Sequence, residues 1–165
     1  MIEVRIVSLN ADATTGQPIV LLQPVHIEPA DPAGRMLPIW IGHPEATAII
    51  LALHGEELPR PMTHDLLKNV IELLGFYVSR VEVTRVEDGT YYAGIVLRGE
   101  ERELVIDARP SDSMALALRV GCPVYVDDDV FEQAAVTVRA VDETEQEVER
   151  FRDFLDHVDP SDFTS

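Results

Sequence analysis

Apolar and polar side chains alternate from the first residues: Ile2, Val4 and Ile6 against Glu3 and Arg5, the period of a half-buried strand. The segment 18–23 repeats the apolar character across a Thr-Thr-Gly turn region and reads as its hairpin partner. A loop rich in Pro, Gly and Asp over 29–34 leads into a short apolar strand, 37–41, which Gly42 ends. The period then changes. Pro44 opens a helix whose Ala46, Ile49, Ile50 and Leu53 recur at helical spacing, and Gly55 stops it. Thr63 is the expected N-cap of a second helix with Leu66, Leu67, Val70, Ile71 and Leu74 on its apolar face, closed by Gly75. Residues 76–85 and 91–97 are β-like on either side of Asp88-Gly89, a hairpin signal, and a further strand covers 103–108.

Ser111 is placed to cap a third, nearly all-apolar and therefore buried helix that ends at Gly121. Residues 123–126 return to strand, and Asp127-Asp-Asp129 starts a short helical turn. Val148, Phe151, Leu155 and Val158 then form an i, i+3, i+7, i+10 stripe on an otherwise charged stretch, which predicts an amphipathic terminal helix docked by one face. Hairpins outnumber strand–helix–strand units. The fold class expected is α+β: a mixed, largely antiparallel sheet with three main helices plus a C-terminal amphipathic helix. Residues 1–135 read as one domain and 136–165 as an acidic helical tail.

Charge narrows the candidate functions. The net charge is −17, and residues 127–165 alone hold 13 acids against 3 bases. Elsewhere the bases are scattered, mostly Arg, with Lys68 the sole lysine. Nucleic-acid affinity comes chiefly from Lys and Arg neutralising phosphates, so this chain should bind polyanions weakly unless metal ions add positive charge. A single cysteine, Cys122, rules out an intrachain disulfide and fits a reducing cytoplasm. Neither a basic-then-apolar leader nor an 18-residue apolar run is found, so export and membrane insertion are not expected.

Two similar cassettes carry the candidate chemistry: Arg60-Pro-Met-Thr63-His64-Asp65 and Arg109-Pro-Ser111-Asp112. Each leads an Arg and a Pro into a helix start with a hydroxyl and a carboxylate. Ordinary capping explains such a pattern by itself. The sharper reading is chemical: free helix N–H groups beside a guanidinium make a phosphate site, with Arg60, Thr63, Arg109 and Ser111 as its ligands. Asp107, at a strand end, and Asp112 could together ligate a hard divalent cation, Mg²⁺ or Mn²⁺. Glu45, in the first turn after Pro44, is a candidate third ligand or general base, and His64 or Asp65 could move protons. The spacings of zinc sites, phosphate loops, dinucleotide loops and serine hydrolases are absent.

These same stretches resemble the bifunctional nuclease (BFN) domain family. The resemblance rests on Leu37-Pro-Ile-Trp-Ile-Gly42 with Glu45-Ala46, on residues 59–67, on residues 107–118 and on Pro123-Val-Tyr-Val126, in that order. It implies an α+β fold, self-association, and cleavage of DNA and RNA. On this reading the chain is a cytoplasmic homodimer or higher homo-oligomer, a metal-dependent phosphodiesterase for which nucleic acid is a weakly bound substrate. The alternative is a non-catalytic interaction or regulatory module whose cassettes bind a small anion or a protein partner. The nuclease reading expects both cassettes and Asp107 to converge on one open cleft.

Overall fold

The computed structural model describes residues 1–26, 34–56 and 58–137. Three strands come first: β1 (Ile2–Ala11), β2 (Pro18–Pro24) and β3 (Arg35–Trp40). Two helices follow, α1 (His43–Leu53) and α2 (Thr63–Leu73), then β4 (Tyr77–Glu87), β5 (Thr90–Arg98) and β6 (Glu103–Ala108). Helix α3 (Pro110–Val120), β7 (Val124–Val126), α4 (Asp128–Ala134) and β8 (Val136–Thr137) complete the described chain. The strands form one sheet in the order β6-β5-β4-β7-β1-β2-β3-β8, in which only β4 and β7 run parallel. The fold is α+β, as the predominance of hairpins predicts.

Local rules account for the turns. Asp88 and Gly89 both adopt positive φ, 49° and 77°, as a two-residue hairpin between β4 and β5 requires. Gly121 closes α3 in the left-handed region at φ 72°, and its N–H bonds to the carbonyl of Ala117. Asp127 caps α4, its carboxylate accepting from the Asp129 N–H at 3.0 Å.

Helix α3 is the keel of the molecule. Met114 and Ala115 enter one apolar cluster, with Val20, Leu22, Leu37 and Ile49, while Leu116 and Ala117 enter a second, with Ile71, Val81 and Ile95. Both faces of the helix are covered, so its near-continuous apolar run has a packing reason. Each large side chain buried there contributes roughly 1.5–3 kcal/mol. Cys122 is half-buried beside the second cluster, and burial pushes its thiol up to about 11, so it stays protonated and unreactive.

Three expectations need correction. The N-cap of α2 is Met62, not Thr63, and that of α3 is Arg109, not Ser111. Pro110 takes the first helical position of α3, where a missing N–H costs nothing, and this puts the cap two residues upstream of Ser111. Helix α1 likewise begins at His43, one residue before Pro44. The third correction is larger. Of the apolar residues expected on the buried face of α2, only Ile71 is buried; Leu66, Leu67, Val70 and Leu74 are exposed. The predicted terminal stripe, Val148 to Val158, lies outside the described residues.

Candidate functional site

Helices α1 and α2 each pack against α3, and this brings the first turns of all three helices together. Their side chains line one cleft of about 220 Å³: Pro44, Glu45 and Ala48 from α1, Met62, Thr63 and His64 from α2, and Arg109 and Asp112 from α3. A helix start carries unpaired N–H groups and the positive end of the helix dipole, so three converging starts favour an anion.

Arg109 is the centre of the arrangement. Its Nε donates to Asp112 Oδ2 at 2.7 Å and its Nη2 to Glu45 Oε1 at 2.6 Å; neither bond uses Nη1. The side chain is 65% exposed, so the guanidinium is oriented by two carboxylates yet open to solvent. These bonds, Asp112's first, raise the Arg109 pKa still further, and the charge is permanent. The second oxygen of Asp112 meets His64 Nε2 at 3.0 Å. Burial alone would raise the Asp112 pKa, but the hydrogen bonds from Arg109 and His64 outweigh it and hold the carboxyl below the usual range. His64 itself is only 8% exposed, fixed at the wall of the cleft.

Asp65 turns the other way. Its Oδ1 accepts from Arg119 Nε at 2.6 Å, and its Oδ2 from the Met62 N–H at 2.9 Å. Burial works to raise its pKa; the Met62 N–H and Arg119 more than reverse that. Arg119 is 9% exposed and also donates from Nη1 to the Ala115 carbonyl at 2.7 Å. Asp65 thus ties the start of α2 to the end of α3, behind the cleft.

Of the other residues singled out from sequence, Thr63 is exposed at the cleft wall and Ser111 is buried in the first turn of α3 without lining it. Arg60 is exposed ahead of α2, and Asp107 is exposed on the edge strand β6, opposite Gly94; neither lines the cleft. Asp112 therefore has both oxygens engaged by Arg109 and His64, with Glu45 as the nearby carboxylate. Among the described residues, no three His, Cys, Asp or Glu side chains come together as a metal-holding group.

Two contributors escape sequence reasoning. Arg119 reads as a helix-end base with no sign of its partner 54 residues upstream. Gly42 reads as a strand stop, whereas a Cβ there would collide with Glu45 Oε2. Gly42→Ala should displace the Glu45 carboxylate from Arg109 with little change in melting temperature, because the colliding atom ends a flexible side chain. Thermal melts together with a crystal structure of the variant check this: an unmoved Glu45 would remove the role given to Gly42.

A charged cleft at the meeting starts of three helices on a mixed sheet is the class of site that this fold defines. The bifunctional nuclease domain model matches residues 28–139, and the chain belongs to that family. An uncharacterized protein of Mycobacterium tuberculosis strain H37Rv is 41% identical over 168 residues, 98% of this chain and 97% of the relative. Bifunctional nuclease 1 of Arabidopsis thaliana is 29% identical over 99 residues, and that of Oryza sativa subsp. japonica 28% over 99 residues. The plant matches take in 58% of this chain and 30% of each plant protein, so most of the plant chains have no counterpart in the match. Among the described residues, no helix is long and apolar enough to cross a membrane.

Proposed function

We propose that this protein is a nuclease that hydrolyses phosphodiester bonds in DNA or RNA at the cleft between the starts of α1, α2 and α3. The observation that supports this reading best is the placing of Arg109: an exposed guanidinium, aimed by Glu45 and Asp112, beside a buried His64 held by the same Asp112. Phosphodiester hydrolysis needs charge compensation at the non-bridging oxygens and a group to take the proton of the attacking water. Arg109 and the helix N–H groups supply the first. With Nε2–H donating to Asp112, His64 keeps Nδ1 as the basic nitrogen for the second. Glu45 positions Arg109 from the opposite side, Thr63 adds a hydroxyl at the wall, and Arg60 extends positive charge beyond it.

The divalent ion expected from sequence enters this proposal with the substrate. Mg²⁺ or Mn²⁺ accompanies a nucleic-acid backbone as counterion, and it would offset the repulsion between that backbone and a chain of net charge −17. The test is incubation of the purified protein with single-stranded DNA and RNA, with added Mg²⁺ or Mn²⁺ and with chelator, against an Asp112→Asn control. Cleavage that disappears in the control supports the reading; equal cleavage in both places the activity outside this cleft, in another part of the protein or in a contaminant. Absence of cleavage favours the second reading, an interaction module. Its specific support is that Glu45, Arg109 and Asp112 already satisfy one another, as an architectural network would.

The proposal includes a cytoplasmic homo-oligomer. Strand β6 is a sheet edge and exposes Leu104, Val105 and Ile106 in succession, a surface suited to a second copy. Sedimentation equilibrium at micromolar concentration should show a species heavier than 18.4 kDa, and Val105→Lys should shift it towards the monomer. A single 18.4 kDa species at all concentrations would dismiss the oligomer.

A further inference from the structure

Helix α2 presents an apolar face to solvent. Leu66, Leu67, Val70, Leu73 and Leu74 are all exposed, Leu73 at 87%. They follow the i, i+1, i+4, i+7, i+8 spacing of a face built to pack on another helix. One exposed leucine is ordinary, whereas five aligned on one helix mark a surface that something covers. We propose that the covering element is residues 148–158 of this same chain, laid on α2 as an amphipathic helix with Val148, Phe151, Leu155 and Val158 inward.

The pattern, the reach and the relatives each favour that occupant. The four residues lie on one side of a helical wheel, and the segment between them is otherwise charged or polar except for Phe154, so a helix there has one apolar face to bury. The described chain ends at β8, five strand positions from β4, the strand on which α2 packs. At about 4.8 Å per strand the gap is about 24 Å, and residues 138–147, extended, span up to about 33 Å. The connection therefore closes within one molecule. The family model stops at residue 139, yet the match to the M. tuberculosis protein takes in 98% of this chain and so continues through most of the tail. A tail shared by full-length relatives beyond the common domain fits a segment with a docking place on that domain.

Hydrogen exchange on the full chain tests the assignment. Phe151→Asp with Leu155→Asp should make the amides of residues 66–74 exchange at least about tenfold faster, while β1–β3 stay as in the wild type. The polar-face control Glu149→Gln with Asp153→Asn should leave α2 unchanged. The reciprocal change is Leu73→Asp, which is too exposed to disturb the core and should speed exchange across 148–158 by a similar factor. Unchanged α2 exchange in the first variant, or unchanged tail exchange in the reciprocal one, overturns the proposal. Protection of α2 that survives in the first variant but falls on dilution also overturns it, and names a second copy as the occupant.

Discussion

Asp112→Asn should lower phosphodiester cleavage by about two to three orders of magnitude, the usual cost of disabling a group that orients both the proton acceptor and the charge stabiliser. The carboxylate holds Arg109 with one oxygen and His64 with the other, at 2.7 and 3.0 Å. An amide of the same shape keeps one acceptor and presents a donor on the other side, so one of those contacts is lost and the negative charge with it. The fall should appear in kcat. Arg109→Ala, which removes the phosphate contact as well, should also raise KM. Because His64 and Asp112 act as a unit, Asp112→Asn combined with His64→Gln should be little slower than the worse single variant. Folding is checked by circular dichroism. Full activity in well-folded Asp112→Asn and His64→Gln proteins would move the chemistry away from this cleft.

The elements were legible in the sequence because their signals are local. Alternation set β1, the Asp88-Gly89 pair set the β4–β5 hairpin, and the apolar run from Met114 to Leu118 marked α3 as buried. The caps slipped by one residue at α2 and by two at α3, where Pro110 took the first helical position and left Arg109 as the cap. The exposed face of α2 was not legible at all. Amphipathic spacing tells which residues share a face but not whether this body or another segment covers that face. The site shows the same division. Glu45, His64, Arg109 and Asp112 drew attention as helix-start residues, and the packing of α1 and α2 on α3 gathers them at one cleft. That Asp65 belongs to Arg119, 54 residues away, and that Asp107 sits on the edge strand β6 outside the cleft, are facts of tertiary placement to which spacing rules are blind.

Arg119→Met should destabilise the protein by about 2–4 kcal/mol while leaving the cleft's groups in place, which separates architecture from chemistry in the first cassette. Arg119 is nearly buried, with its partners fixed: Asp65 at 2.6 Å and the Ala115 carbonyl at 2.7 Å. Methionine fills much of the volume but leaves Asp65 without its cation. Asp65→Asn should cost less, about 1–2 kcal/mol, because the carboxylate is 36% exposed and water screens what it loses. The pH dependence gives the sign. Asp65 titrates below its ordinary range in the folded protein, so its contribution is present above the unfolded-state value, about pH 4, and is lost as the pH falls through the folded one. The melting-temperature gap between wild type and Asp65→Asn should therefore be constant near neutral pH and narrow below about pH 4. A gap that widens on acidification would mean the aspartate is destabilising when charged, and the tie between α2 and α3 would have to come from elsewhere.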